Sequence, residues 1–488
     1  MAGKGFLLEI NPLPGVSSRG LALLLFALSF AFFSFLVVSH PSPFVFDEGV
    51  YSLSVKEFSD NPSAVMPTVT GVHVEWKPPL FTWVYSAFYK LLSSLPMQVE
   101  TIFRLPSAFF SAINAALVFL LAERMYGRRV GLASSLLFLV NPLTAFSAMT
   151  AMMEAFSLTL ILAAMLCYLR GRRGPGAAFL AMLALTKWLY VAFPIVFITL
   201  YFLRSKDLRA ILLSFLAVPA ALAAYLLLAF FFGSYGNALY NLALDLSRSS
   251  PHPDLRSVAF NFIQMTLVAF PLSLVALALL LSKKPDIWEE RCVLALCAAG
   301  FVLLFAGSFI FWYLTPVLPA FAILVAKRAE EFDKGAMLFV AIAAFLAMSL
   351  CAPLILQGQS DLKDVAIFMK GKQVSFLEPY AHYPIWERVN ALYHGTPQSY
   401  LLLEQLNSGL LFYRFSDSSD YGDLRAVLSE YNETPACGGY LVVHRNFVDV
   451  TQPRYNWSVP GCFTPLWENE YYSVYAPANA SAQGGGGE

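Results

Sequence analysis

Long apolar segments separated by short polar ones dominate the chain from residue 20 onwards. A membrane-spanning helix needs roughly 17–25 predominantly apolar residues. Segments at or near that length lie at 20–39, 105–122, 130–148, 154–169, 210–232, 257–281, 292–311, 313–326 and 335–356. The stretch 175–203 is long enough for two short spans that meet at Thr186-Lys187-Trp188. The pattern predicts an all-α polytopic membrane domain with about 11 transmembrane helices over residues 1–356.

Basic residues distinguish the two sides of this predicted bundle. Cytoplasmic loops of membrane proteins are enriched in Lys and Arg. With a cytoplasmic N-terminus, every predicted inner loop is basic, and these loops contain Arg124, Arg128, Arg129, Arg170, Arg172, Arg173, Arg204, Lys206, Arg209, Lys283, Lys284, Arg291, Lys327, Arg328 and Lys334. The alternation holds only if the stretch 175–203 crosses twice. It therefore predicts a reversal of the chain at Lys187.

Overall composition agrees with a membrane location. Hydrophobic residues make up 58% of the chain, charged residues 13%, and the mean hydropathy is +0.61. An ordinary soluble domain does not reach these values. The formal net charge of +0 gives no indication of a nucleic-acid partner. The first apolar segment is longer than the core of a cleaved signal peptide, so we expect an integral protein of the cell (plasma) membrane.

The composition changes after the last apolar segment. Residues 357–480 carry many charges and alternating stretches such as Tyr440-Leu441-Val442-Val443-His444, which predict a compact α/β domain. An odd number of spans places this domain outside, where the sequons at Asn432, Asn456 and Asn479 would accept glycans. Cys437 and Cys462 either form a disulfide there or remain free. The glycine-rich segment 481–488 is expected to be a flexible tail.

Two adjacent carboxylates stand where the chain leaves the first span, in Phe46-Asp47-Glu48-Gly49-Val50-Tyr51. Apolar residues at helical spacing predict a short interfacial helix that starts at Asp47. A second helix is expected to restart at Trp76-Lys77-Pro78-Pro79, since proline is accepted in a first helical turn. Asp47 either caps the first helix, with Glu48 solvated, or takes part in chemistry.

Further ionisable residues are expected at the same depth in the membrane. Glu154 opens a span, Lys187 lies inside an apolar stretch, Arg104 precedes the second span, and Lys77 adjoins the double proline. An ammonium group in lipid needs an anionic partner. For Lys187 that partner is either Glu154, as a structural ion pair, or the phosphate of a lipid. Glu154 and Arg104 alone are also compatible with interfacial anchoring.

Motifs for nucleotide or zinc chemistry are missing from the sequence. The chain has no Asp-x-Asp motif for a metal-bound nucleotide sugar, no phosphate-binding loop and no His-Glu-x-x-His motif. This agrees with an active site that faces outward, where nucleotide sugars are absent.

Four passages resemble the GT-C membrane glycosyltransferases that use polyprenyl-phosphate-linked sugars, in the branch of protein mannosyltransferases and aminoarabinose transferases. They are Phe46 to Tyr51, Lys77-Pro78-Pro79-Leu80 through Trp83, Arg104-Leu105-Pro106-Ser107 followed by Tyr126 to Leu132, and Leu185-Thr186-Lys187, with a weaker echo at Trp312-Tyr313-Leu314-Thr315-Pro316. The match covers roughly residues 20–200 well and 300–330 loosely.

The resemblance implies an inverting transfer of a sugar to a protein, lipid or glycan acceptor. It makes Asp47 the general base, with Glu48 beside it, and gives Glu154 the place of a second acid that is commonly aspartate in the family. Lys187, Arg104 and Lys77 would contact the lipid phosphate, and a groove near Trp188, Trp312 and Tyr313 would hold the polyprenyl tail. Where relatives have a basic residue in the late span, this chain has Phe311-Trp312.

Other readings of the sequence remain open. A divalent metal shared by Asp47 and Glu154 is compatible with it, and so is an enzyme without a cofactor. A transporter or flippase of lipid-linked sugars is the alternative function. Transporters place polar sites near the bilayer midplane, often in repeated halves. Here the ionisable residues cluster at one predicted interface, which favours the enzyme.

Overall fold

A computed structural model describes residues 16–39, 48–62, 66, 68–69, 72–73, 78–232, 238–239, 242, 258–259, 262–263, 265–266, 269, 271–282, 287–302, 311–328, 374–379, 410–415, 440–444, 459, 461–468 and 472–478. The chain divides into two compact units. The first comprises Met1–Pro41 and Ser54–Pro353, and the second comprises Ser42–Leu53 and Leu354–Glu488. The predicted domain boundary at 356/357 remains a prediction.

Helices make up most of the described chain. They are α1 (Ser18–Ser39), α2 (Glu48–Asp60), α3 (Leu80–Leu92), α4 (Val99–Tyr126), α5 (Arg128–Leu139), α6 (Pro142–Met149), α7 (Glu154–Leu169), α8 (Arg173–Lys187), α9 (Ala192–Ser205), α10 (Leu208–Phe231), α11 (Leu272–Ser282), α12 (Trp288–Val302) and α13 (Leu318–Arg328). Short 3₁₀ turns lie at Trp188–Val191 and Phe311–Leu314, and β1 (Thr68–Val69) pairs antiparallel with β2 (Val72–His73).

Several helices are long and apolar enough to cross a membrane. They are Ser18–Ser39, Val99–Tyr126, Arg173–Ser205 and Leu208–Phe231, with a fifth if α5 and α6 count as one span. Helix α10 keeps many large apolar side chains exposed, among them Leu212, Leu216 and Phe230, as a lipid-facing helix does. The protein is a multi-pass membrane protein. The count of 11 spans and the orientation of the termini remain predictions.

Although the helical stretch Arg173–Ser205 is long enough to cross a membrane as one helix, the chain reverses between α8 and α9, which form a hairpin. A straight helix over the 33 residues Arg173–Ser205 would be about 50 Å long. Nevertheless Arg173, at its start, forms an ion pair with Asp207, just past its end. The reversal lies at Lys187, whose φ of −145° and ψ of 81° leave the helical region. The predicted hinge at this lysine is thus present.

Close packing between α7 and α8 follows from a glycine. A Cβ atom added to Gly176 would come within 2.6 Å of the Tyr168 ring, at the end of α7. We therefore expect Gly176→Ala to destabilise the protein by about 1–3 kcal/mol through overpacking. Gly174→Ala is the matched control, because a Cβ there would meet nothing within 4 Å. Thermal unfolding in detergent measures both, and equal midpoints would contradict the close approach.

The predicted span 130–148 is broken. Helices α5 and α6 are bent by 64° relative to each other. Asn141 and Pro142 cause this break, because the Asn141 side chain accepts a hydrogen bond from the Leu143 amide at 3.0 Å and proline opens α6. The predicted span 313–326 is also wrong in its boundaries. Its first residues form the turn Phe311–Leu314, and α13 begins only at Leu318.

The helices of the first outer loop are confirmed as elements. Helix α2 begins at Glu48, and α3 begins at Leu80, directly after the motif Trp76-Lys77-Pro78-Pro79 that was predicted to start it. Ser86 Oγ on α3 donates to the Val55 carbonyl oxygen of α2 at 2.8 Å. Within the first unit, α3 is thereby tied to the C-terminal part of α2, while Tyr85 and Ser107 hydroxyls join it to α4 at 2.9 Å.

The second unit contains a mixed five-stranded sheet. Its strands are β3 (Val374–Pro379), β4 (Leu410–Phe415), β5 (Tyr440–His444), β6 (Phe463–Glu468) and β7 (Tyr472–Pro477), in the order β4-β3-β5-β7-β6. Strand β3 pairs in parallel with β4 and β5, and β7 pairs antiparallel with β5 and β6. Parallel neighbours need long crossover connections. The predicted strand at 440–444 is confirmed, whereas helices of an α/β domain would fall outside the described residues.

Candidate functional site

An ion pair inside the membrane domain joins two of the residues singled out from the sequence. Lys187 Nζ donates a hydrogen bond to Glu154 Oε1 at 2.5 Å. Only 1% of Glu154 and 7% of Lys187 is exposed. Glu154 stands in the first turn of α7 and Lys187 in the last turn of α8, so each charge lies at the helix end whose dipole favours it. Glu154 is therefore an anionic partner of Lys187, as one of the two alternatives predicted.

Aromatic residues enclose the ammonium group. Lys187 Nζ lies 3.1 Å from the Tyr190 hydroxyl oxygen, 4.2 Å from the Tyr190 ring centre and 4.8 Å from the Tyr313 ring centre. The Tyr190 hydroxyl in turn donates to the Trp312 carbonyl oxygen at 3.1 Å. Ring faces attract cations most strongly where water is excluded. The contacts thus fix the position of the ammonium group from several sides.

The two carboxylate oxygens of Glu154 differ in their hydrogen bonding. Oε2 is buried and has no hydrogen-bond partner. Among the carboxylates in the described ranges, it is the only buried oxygen in this situation. Leaving a buried charged acceptor unpaired costs at least about 1–3 kcal/mol. Such an oxygen is suited to a ligand that brings its own hydroxyl donor.

A second buried ion pair gives a useful comparison. Arg328 Nε at the end of α13 donates to Glu290 Oε1 at the start of α12, also at 2.5 Å and also buried. Both pairs follow the helix dipoles. Unlike Glu154, Glu290 has no buried oxygen without a partner. Burial and distance are therefore alike in the two pairs, and the unpartnered oxygen is what distinguishes Glu154 from Glu290.

Arg104 occupies a different level of the bundle. It is fully buried in the second turn of α4. Further along α4, Asn114 Nδ2 donates to the Ala155 carbonyl oxygen in the first turn of α7 at 2.9 Å. Ten residues, or about 15 Å of helix, separate Arg104 from Asn114. Arg104 thus lies towards the N-terminal end of α4 from the level of Glu154.

The acidic pair of the first outer loop is described only in part. Glu48 is fully buried as the first residue of α2, so the interpretation of a solvated side chain is wrong. Glu48 belongs to the second compact unit. Asp47 and Lys77 lie outside the described residues. Their proximity to Glu154 remains a prediction.

The aromatic residues predicted to line a lipid groove gather partly around the ion pair. Trp312 is buried, and its ring stacks on Phe146 of α6 at 6.2 Å. Tyr313 lies over the ammonium group of Lys187. Trp188 is half-buried, and its indole Nε1 is buried without a partner. Trp312 and Tyr313 thus also contact Tyr190 and Lys187 beside the ion pair. A lipid groove remains a prediction.

The described residues do not resolve the question of a metal. Among them, no group of three His, Cys, Asp or Glu side chains could hold a metal ion. At Glu154, the Lys187 ammonium occupies the place that a divalent cation bound to Oε1 would take. Asp47, the other proposed ligand, lies outside the described ranges. We therefore derive no step through a metal.

Modification sites fall mostly outside the described residues. This applies to Cys437, Asn432, Asn456 and Asn479. Cys462 is disulfide-bonded, while its pairing with Cys437 remains a prediction. Cys167, Cys292 and Cys297 are free.

Known structures show the same architecture. The chain is 15% identical to ArnT from Cupriavidus metallidurans bound to undecaprenyl phosphate, with a TM-score of 0.59 over 94% of this chain and 98% of that chain. It is 12% identical to the archaeal oligosaccharyltransferase AglB from Archaeoglobus fulgidus in complex with an inhibitory peptide and a dolichol-phosphate, with a TM-score of 0.56 over 89% of this chain and 70% of that chain. The chain has the GT-C fold.

At the level of fold, the family resemblance of the sequence is confirmed. No protein-family model and no curated protein matches the sequence. Within this GT-C fold, sequence reasoning missed Tyr190 and the Trp312 carbonyl group. Tyr190 follows an intramembrane lysine by three residues, a spacing that could have pointed to it. The Trp312 carbonyl could not have been predicted, because every residue has a backbone carbonyl group.

Proposed function

We propose that this protein is a membrane glycosyltransferase. It would transfer a sugar from a polyprenyl-phosphate donor to a hydroxyl group of a protein, lipid or glycan acceptor. The GT-C fold supports this proposal, as does the presence of undecaprenyl phosphate in the ArnT structure and of dolichol-phosphate in the AglB structure. The observation that carries it is the buried, unpartnered Oε2 of Glu154. A sugar or acceptor hydroxyl is the donor that this oxygen lacks.

In the proposed reaction, the acceptor oxygen attacks the anomeric carbon and the bond to the phosphate oxygen breaks with inversion. Asp47 would take the acceptor proton as general base, which requires a separation of roughly 3 Å. The polyprenyl phosphate leaves as a stable anion and needs no strong general acid. Positive charge must lie where negative charge accumulates on the leaving phosphate.

The geometry supports different tasks for the three basic residues. The described contacts of Lys187 are with Glu154, Tyr190 and Tyr313, so we assign it to holding Glu154 as a carboxylate. Its sequence-based assignment to the lipid phosphate gains no support from these contacts. Contact with the phosphate then falls to Arg104 and Lys77. Glu154 Oε2 would orient a hydroxyl of the sugar or the acceptor.

The proposed orientation follows the positive-inside rule. The N-terminus would be cytoplasmic, and the sheet-containing unit would be extracytoplasmic. The reversal of the chain at Lys187 supports this orientation, because the orientation requires the stretch 175–203 to cross twice. Chemistry would then occur at the outer face, where Glu154 opens α7.

A transfer assay in detergent tests the proposal. Polyprenyl-phosphate-linked mannose, glucose and aminoarabinose would be supplied separately, with a hydroxyl-bearing peptide, a glycolipid or a short glycan as acceptor. We expect release of polyprenyl phosphate together with glycosylated acceptor for at least one pair. A flippase would instead move the lipid-linked sugar across sealed vesicles and leave it chemically unchanged. Translocation without any transfer in detergent would overturn the proposed function.

A further inference from the structure

Tyr190 is the centre of a directed hydrogen-bond chain beside the glutamate. Its hydroxyl oxygen accepts from Lys187 Nζ at 3.1 Å. Its single proton faces two acceptors, the Trp312 carbonyl oxygen at 3.1 Å and Glu154 Oε1 at 3.5 Å. The carbonyl is the nearer of the two, only slightly beyond the usual distance of about 2.5–3.0 Å for a hydrogen bond from a hydroxyl group. The order of donation therefore runs from the ammonium to the phenol and from the phenol to the carbonyl.

The acceptor at the end of this chain is itself held in place. The Trp312 carbonyl oxygen also accepts from the Thr315 amide at 3.1 Å, within the turn that precedes α13. The Trp312 ring stacks on Phe146 of α6. Because both the carbonyl group and the ring of Trp312 are held, the Tyr190 hydroxyl that donates to this carbonyl has a fixed position as well. The turn Phe311–Leu314 thus holds, through this hydrogen bond, a tyrosine that lies 122 positions earlier in the chain, between α8 and α9.

This fixed oxygen restricts how the ammonium group meets the carboxylate. An ammonium group has three N–H donors and can bridge both oxygens of one carboxylate. In the structure it donates to Oε1 of Glu154 and to the Tyr190 oxygen, whereas Oε2 of Glu154 has no hydrogen-bond partner. The N–H group that is directed at Tyr190 is not available to Oε2.

From this geometry we propose that Tyr190 is a positioning residue that keeps Lys187 on Oε1 of Glu154 and so keeps Oε2 available for a substrate hydroxyl. The inference rests on the proposed function and goes beyond it, because it assigns a task to a residue that touches neither donor nor acceptor. Without the phenol oxygen, the ammonium group would move onto both carboxylate oxygens. The carboxylate would remain charged and buried but would bind a hydroxyl less well.

Tyr190→Phe tests this role, because it removes the hydroxyl and keeps the ring that faces the ammonium group. We expect kcat for the polyprenyl-phosphate sugar that the wild type uses, among the three named above, to fall on the order of tenfold. The KM for the lipid donor should stay within about twofold, since the proposed role of the phenol is to position Lys187 and not to bind the lipid. The amount of folded protein, measured by detergent chromatography, normalises kcat.

Tyr168→Phe is the matched control. Tyr168 is also buried, and its hydroxyl has no hydrogen-bond partner, so its removal should leave kcat unchanged. Tyr190→His is the second variant, because an imidazole N–H can still donate towards the carbonyl. It should be more active than Tyr190→Phe per folded protein. This comparison holds even if both variants reduce the yield.

Three results would overturn the role of Tyr190. They are a kcat of Tyr190→Phe within twofold of wild type, an equal loss in Tyr168→Phe, and a Tyr190→His variant no better than Tyr190→Phe. Failure of the proposed function has a different signature. In that case the wild type transfers none of the three sugars. Full transfer by Glu154→Gln would instead remove the role of Glu154, and with it the positioning role of Tyr190. If Glu154→Gln loses transfer while Tyr190→Phe keeps full activity, only the positioning role of Tyr190 is refuted.

Discussion

Replacement of Glu154 by glutamine is expected to reduce sugar transfer at least on the order of 100-fold. The amide keeps one oxygen, and this oxygen is held by Lys187 in the place of Oε1. The NH₂ group then takes the place of Oε2 and cannot accept the hydrogen bond of a substrate hydroxyl. Initial rates of polyprenyl phosphate release in detergent, divided by the amount of folded protein, measure the effect.

The control for this variant is Glu290→Gln. Glu290 forms an ion pair of the same length and burial, yet none of its oxygens is buried without a partner. We expect this variant to lose stability while its rate per folded molecule stays within about twofold of wild type. Equal losses of rate in both variants would show that any broken buried pair impairs transfer, and Glu154 would have no special role. Asp47→Asn, assayed in parallel, tests the general base.

Replacement of Lys187 by methionine is expected to destabilise the protein by about 3–5 kcal/mol. Methionine keeps the length of the side chain and removes the charge, which leaves the Glu154 carboxylate buried without its counter-ion. The cost of an isolated ion in a medium of low polarity far exceeds the cost of a lost surface contact. Thermal unfolding in detergent would show this as a large decrease in the midpoint.

Two further variants separate burial from simple loss of a lysine. Lys56 also pairs with a carboxylate, that of Asp60 at 2.6 Å, but this pair is exposed on α2. Lys56→Met should therefore change the stability by less than about 1 kcal/mol. The double variant Lys187→Met with Glu154→Gln removes both buried charges and should recover most of the stability without recovering transfer. If Lys187→Met were as stable as the wild type, Glu154 would not need the ion pair with Lys187 in the folded protein.

Particular elements show how far the sequence determined the fold. The length of the apolar segments is set by the bilayer, so α1, α4, α7 and α10 lie close to where the pattern predicted them. The hinge at Lys187 followed from charge, because only a double crossing kept every basic loop on one side. The break between α5 and α6 was missed, although Asn141 and Pro142 are a capping pair that the sequence shows.

The sequence predicted the charged residues of the candidate site but not the hydrogen bonds that connect them. The sequence alone determined that Glu154 and Lys187 lie in apolar surroundings, and the cost of burying a lone charge requires each to have a partner. Which partner each one has was decided only by the tertiary structure. Helix hairpins and a distant turn bring together residues 33 to 122 positions apart along the chain. The same packing decided that one carboxylate oxygen of Glu154 is held by Lys187 while the other has no hydrogen-bond partner, because the ammonium, phenol and carbonyl positions depend on three-dimensional contacts that no sequence spacing specifies.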